Sequence, residues 1–245
     1  MISLILPAYN EEALIQVSLD KINDFAKIEF DEYEIIVVDD GSTDQTAKYV
    51  RAWSSKNREN VRNFIFLINQ SNRGKGHAIR RAMQTANGDL RIFIDSDLPF
   101  ELSVLSKLVS RLKEGSDIII GNRNDPDSVL SKISPIRHVA GKMYSYLVRY
   151  LLKNNITDTQ CGLKGFRDSA ANMIFSCTLI DGFGFDVEVL YIAKKLDLRI
   201  DKIPVQMPST RSESRVRLVK DSLEMFRNLF MIKRNDSKGL YCIKK

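Results

Sequence analysis

The stretch "RIFIDSDLPF" (91–100) carries two aspartates one residue apart at the end of an apolar run. Ile92, Phe93 and Ile94 predict a strand. If it stays extended through Asp97, alternation points Asp95 and Asp97 the same way and Ser96 the other. Two convergent carboxylates suit a hard cation such as Mg²⁺ or Mn²⁺, which takes few protein ligands and fills its shell with phosphate and water. The competing reading is local: Asp97 caps a helix expected from about Glu101. Other chemistry-bearing residues fall at similar punctuation points. Glu11/Glu12 follow "ISLILP", Asp39/Asp40 end "YEIIVVDD", and Lys75 sits between Gly74 and Gly76, where a phosphate can approach. A carboxylate only accepts, so an acid such as Asp39 matches ribose hydroxyls and base N–H groups; a turn and helix cap at 39–42 is the alternative. His77 and His138 have no ligand partner at helical spacing and read as incidental.

The elements that must position these residues alternate. Apolar strands are expected at 2–7, 33–40, 63–69, 90–95 and 117–121. Helices are expected between them at about 11–25, after a Ser42 or Thr43 cap, at 76–86 and at 101–113. Such a pattern predicts an α/β fold with a mainly parallel sheet covered on both faces, whose ligands bind beyond the carboxyl ends of the strands. After Gly121 the rhythm changes. Residues 122–135 read as a mobile loop, 136–153 as a helix and "TDTQCGLKGF" as a strand. Helices at 168–176 and 184–196, a strand at 199–206 and a helix at 215–234 follow. The organisation expected is one domain over 1–206, with a nucleotide-sugar half (1–121) and an acceptor half (122–206), then a basic C-terminal segment (207–245).

Composition narrows the classes. The chain has 245 residues, 44% hydrophobic and 28% charged, as in an ordinary soluble globular protein. Its longest apolar runs are far short of the ~20 residues that cross a bilayer. Met1 leads straight into a strand, so no signal peptide is expected. Three cysteines at no ligand spacing point to reduced thiols and a cytoplasmic setting. Residues 199–245 hold 12 Lys/Arg against 5 Asp/Glu, while residues 1–198 hold 25 against 26, so the basic excess lies at the C-terminal end. A basic end on a neutral body fits a phosphate-bearing partner or a solvated tail. Nucleic acid is disfavoured because no aromatic residues interleave the basic ones for base stacking. In the last helix Val216, Val219, Leu223, Phe226 and Phe230 form an apolar stripe among arginines and lysines. It can lie on a membrane surface, on its own domain or against a second copy of the chain.

In this order, "LILPAYNEE", "IIVVDDGSTDQT", "NRGKGHAIRRAM" and "GDLRIFIDSDL" resemble the motifs of family 2 glycosyltransferases of the GT-A fold. "TDTQCGLKGF" and "GFGFDVEVLYIA" extend the resemblance, to about residue 206, towards the transferases that use dolichyl phosphate. The resemblance implies that Pro7, Tyr9, Glu11, Asp39 and Lys75 hold a UDP- or GDP-linked sugar. It also implies that Asp95 and Asp97 bind Mg²⁺ or Mn²⁺ against the diphosphate. Arg123 and Arg137, fourteen residues apart, match a pair that grips the acceptor phosphate, and guanidinium forks suit that task. The implied reaction is inverting hexose transfer to a polyprenyl phosphate by an enzyme peripheral to the cytoplasmic face of a membrane. Neither an N-terminal anchor nor C-terminal spans are expected, in contrast to many relatives. A hydroxyl acceptor is the alternative, and it needs a base: Asp186 or Glu188 of "FDVEVL". A non-catalytic nucleotide-sugar-binding, membrane-docking protein is the reading from another class.

Overall fold

The computed structural model describes residues 1–58, 61, 63–129, 144–150, 156, 158–207 and 218–241. In chain order the elements are β1 (Ile2–Ala8), α1 (Ile15–Glu29), β2 (Tyr33–Asp39), α2 (Thr46–Lys56), β3 (Phe64–Ile68), α3 (Lys75–Thr85), β4 (Leu90–Ile94), α4 (Ser103–Lys113) and β5 (Ile118–Asn122). The helical residues 144–150 (α5) come next. β6 (Leu163–Arg167), α6 (Asp168–Phe175), α7 (Phe185–Lys195), β7 (Ile200–Pro204) and α8 (Leu218–Ser237) follow.

The strands form one sheet in the order β3-β2-β1-β4-β6-β5-β7. β1 pairs in parallel with β2 and with β4, and β3 and β7 also join in parallel. β6 alone runs against its neighbours, inserted between β4 and β5. The sheet is therefore mixed, and the second half of the chain supplies a strand to its middle. The strand order reverses about β1 and β4, and in open α/β sheets the crevice at such a point receives the ligand.

Strand periodicity explains the two-sided core. Along β1 and β2, Ile5, Ile36 and Val38 face one cluster with α3, α6, α7 and α8, while Leu4, Leu6, Ile35 and Val37 face the other with α1, α2 and α4. β1 and β2 are buried on both faces, so their sequences read as continuous apolar runs.

Several boundaries differ from expectation. α1 starts at Ile15 rather than Glu11, because residues 9–13 are occupied by loop contacts to α2. α2 starts at Thr46, so neither Ser42 nor Thr43 caps it; the Ser42 hydroxyl instead accepts from the amide of Asn10. Residues 122–129 form a tied turn: the Ser128 hydroxyl donates to the Asn122 carbonyl, and Val129 bridges Gln206. In α8, Leu229 and Ile232 are fully buried in the α6/α7 core, and Phe226 meets Tyr144 of α5 edge-on at 5.8 Å. This part of the apolar stripe thus covers its own fold, while Phe230 is 65% exposed. Arg137, His138, Arg211, Arg215 and Val216 lie outside the described residues.

Candidate active site

The loops beyond the carboxyl ends of β1 and β2 are laced together by side chains that bind backbone. Asn10, at φ 55°, accepts from the amide of Thr43 at 2.8 Å, and Glu12 accepts from Gln45 at 2.9 Å. The amides of Glu11 and Glu12 donate to Thr46 and Asp44. Asp39 is buried and accepts from the Ser42 amide at 2.9 Å. Pro7 pairs with Val38 inside the sheet, and Tyr9 stands exposed just beyond it. Of the residues expected to hold the nucleoside, Pro7 and Asp39 stand at the carboxyl ends of β1 and β2 and Tyr9 and Glu11 on the loop after β1.

Asp40 does something the sequence did not announce. Its carboxylate accepts from the amides of Arg73 (3.1 Å) and Gly74 (2.7 Å) and from Asn69 Nδ2 (2.6 Å). It thereby fixes the start of α3, and with it Lys75. Gly74 has φ 105°, and a Cβ there would run into the Asp181 carbonyl, so glycine is required.

Lys75 reaches Asp95. Its Nζ lies 2.5 Å from Asp95 Oδ1, with the lysine side chain 19% and the aspartate 29% exposed. Burial on its own would lower the pKa of this ammonium, but Asp95, Asp186 and Asp97 outweigh it and the net shift is upward. The strand ends at Ile94, and Asp95 to Leu98 form a turn closed by the Leu98 amide on the Asp95 carbonyl. Ser96 is buried while both aspartates are part-exposed, but the extended backbone expected through Asp97 is replaced by this turn. Asp97 does not cap α4, which starts at Ser103 with Leu102 at its N-cap and no side-chain cap. Asp95 is seated against β6: its amide donates to the Gly162 carbonyl, and a Cβ at 162 would collide with its carboxylate.

The remaining charges are paired deep in the second half. Arg123 clasps Asp158 through Nε (2.8 Å) and Nη2 (2.7 Å), and its own amide adds a third bond at 2.9 Å. Burial opposes the charge on both, but the pairing dominates: Arg123 is shifted up and Asp158 is held below the usual carboxylate range. The negative charge of Asp95 adds to the upward shift of Arg123. Lys164 is fully buried in β6, ion-paired to Asp186, hydrogen-bonded to the Cys161 carbonyl and 5.3 Å over the Phe93 ring. Burial keeps the Asp186 carboxyl above its ordinary value despite Lys164 and Lys75. Glu188 accepts from the Leu179 and Ile180 amides and the Tyr241 hydroxyl, so its oxygens are committed to structure.

The structure thus sets Lys75 on Asp95 beyond β4, with Asp97 in the same turn, while the charges of Asp186 and Arg123 act on that pair from the second half of the chain. The roles of Asp40, Asp158, Gly162 and Lys164 were not foreseen. A lysine amid the apolar residues of "GLKGF", in a strand bound for the sheet centre, was the available signal for Lys164. Asp158 had none, since its partner is 35 residues away.

Among the described residues no three His, Cys, Asp or Glu side chains gather as a metal cluster. The donor set is nevertheless right for a hard cation shared with a diphosphate: two part-exposed carboxylates, one of them already bearing a cationic group.

A sheet of this order, with paired aspartates beyond its fourth strand, agrees with the sequence comparisons. The profile of "Glycosyl transferase family 2" matches residues 3–175. The chain belongs to glycosyl transferase family 2. It is similar to the dolichyl-phosphate β-glucosyltransferase of Dictyostelium discoideum, at 31% identity over 99% of this chain and 77% of that protein. The Saccharomyces cerevisiae enzyme of the same name is 30% identical over 98% and 76%. Among solved structures, glucosyl-3-phosphoglycerate synthase from Mycobacterium tuberculosis, in complex with Mn²⁺, UDP and phosphoglyceric acid, superposes with a TM-score of 0.71. At 22% identity over 95% of this chain and 78% of that one, it establishes the GT-A fold. This family 2 member is therefore a glycosyltransferase.

Proposed function

We propose that the enzyme transfers glucose from a uridine-diphosphate donor to a dolichyl-like polyprenyl phosphate, with inversion. The observation that carries this reading is the grouping of carboxylates and a cation beyond β4: Asp95 with Lys75 on it and Asp97 in the same turn, with the charge of Arg123 felt at Asp95. Transfer from one phosphate to another must hold two anions in one site, which calls for cations more than for a base. An acceptor phosphate oxygen attacks the anomeric carbon, its bond to the diphosphate breaks, and the departing nucleoside diphosphate takes the electron pair. No proton has to leave the nucleophile. Asp95 and Asp97 would hold the divalent cation, which offsets charge on the leaving diphosphate. Lys75 shares that task, while Pro7, Tyr9, Glu11 and Asp39 receive the nucleoside. Arg123, fixed by Asp158, presents the rest of its guanidinium to the acceptor phosphate, with Arg137 as its partner in that role. The relatives' names supply the sugar and the lipid class.

The rival acceptor, a hydroxyl, is disfavoured by the state of its candidate bases. Asp186 is buried and ion-paired to Lys164, and Glu188 is spent on backbone amides and Tyr241. The work then takes place at the cytoplasmic surface of the membrane that holds the lipid; among the described residues no helix is long and apolar enough to cross it. A panel of sugar nucleotides, with and without polyprenyl phosphate and Mn²⁺, tests the reading. UDP-glucose should be consumed only when lipid phosphate and metal are both present. Equal turnover with a plain sugar acceptor would overturn it.

A further inference from the structure

Asp95 is held from two sides. Its carboxylate lies against the Gly162 backbone, where a Cβ would collide with it, and its Oδ1 receives Lys75 Nζ at 2.5 Å. With the turn 95–98 closed by hydrogen bonding and the Asp95 amide bound to Gly162, the carboxylate has little freedom to swing towards another partner. Lys75 is differently built. Its backbone is pinned through Asp40 at Arg73 and Gly74, and by the His77 amide on the Asp181 carbonyl. Its four-carbon stem, however, can pivot. Two cations held on one carboxylate repel each other where water is partly excluded, so each weakens the other's hold on it.

We infer that Lys75 and the divalent cation compete for Asp95, and that the donor's diphosphate resolves the competition by drawing the ammonium onto itself. Lys75 then acts as an interlock: metal binding is weak until the donor gives Lys75 another anion, and donor and metal load together. This rests on the reading that Asp95 and Asp97 hold the cation. The consequence is reciprocal, since what the donor does for the metal the metal must do for the donor.

Mn²⁺ binding followed by electron paramagnetic resonance, with and without UDP, tests the interlock without any turnover. Lys75 is part-exposed at a helix start, so Lys75→Met and Lys75→Gln are expected to fold, which circular dichroism checks. Without nucleotide, both variants should bind Mn²⁺ about tenfold or more tighter than wild type, the scale on which a neighbouring charge moves an ionic equilibrium. The further tightening produced by UDP should shrink in both, while Lys75→Arg, which keeps the cation, should behave as wild type. Unchanged or weaker Mn²⁺ binding in Lys75→Met and Lys75→Gln overturns the interlock. Asp95→Asn separates the two readings. If it loses Mn²⁺ while the Lys75 variants match wild type, the interlock alone is wrong. If it binds Mn²⁺ as wild type does, the assignment of Asp95 to the metal fails and the interlock falls with it.

Discussion

The two halves of the site hold their charges in opposite ways. In the loops after β1 and β2, acids are satisfied by backbone amides: Asp39 by Ser42, Glu12 by Gln45, and Asp40 by Arg73 and Gly74. Around β5 and β6, buried charges are satisfied by other charges: Arg123 by Asp158 and Lys164 by Asp186. The first arrangement shapes loops and leaves their surface free to accept a nucleotide. The second stores opposed charges inside the fold, where removal of one partner strands the other. A nucleoside needs a shaped, preformed edge, whereas an anionic acceptor meeting an anionic donor needs buried cations kept charged.

The sharpest way to break the comparison is Lys164→Met. If the acceptor half depends on charge pairing, this variant should lose about 3–5 kcal/mol in chemical denaturation, because Asp186 is left buried and unpaired. The double variant Lys164→Met/Asp186→Leu should recover much of that stability; no recovery would mean that Lys164 matters for reasons other than its pair. Next in size, Asp95→Asn should cut turnover by about 100- to 1000-fold, on the scale of losing one oriented electrostatic group, with little change in melting temperature. Asp40→Ala sharpens the donor side: losing its bonds to Arg73 and Gly74 should cost about 1–3 kcal/mol and raise the donor KM more than it lowers kcat. An Asp40→Ala effect confined to stability would remove Asp40 from the positioning of Lys75.

The smallest effect is a pH dependence. Asp158 is held below its ordinary pKa, so its contribution to stability is present above the unfolded carboxylate value and is lost as pH falls through the folded one. The stability gap between wild type and Asp158→Asn should therefore be widest near neutrality and close below about pH 4. A gap constant across that range in urea denaturation would show that shape, not charge, holds Arg123.

The contrast between the halves also governs what could be read early. The donor half was legible because its residues act close to where they stand: an apolar strand, then an acid, then a glycine turn. The aspartates of 95–97 were recognisable although the backbone there turns instead of extending, since either geometry leaves Ser96 inside and the acids outward. The capping role offered to Ser42 was misplaced because the loops on either side compete for its hydroxyl. The base offered in Asp186 and Glu188 could not be judged from "FDVEVL", because Lys164 and Tyr241, which occupy them, come from other elements.

By itself the sequence determined the α/β layering, the parallel first half, the family and the acids at strand ends, because apolar periodicity and local motifs act over a few residues. Only the tertiary structure decided that β6 runs antiparallel through the middle of the sheet, that Asp40 anchors Lys75, and that Lys164 and Asp158 neutralise Asp186 and Arg123. Those pairings join residues 22 to 35 positions apart. Burial makes a charge find a partner wherever the fold brings one, and sequence spacing carries no record of that choice.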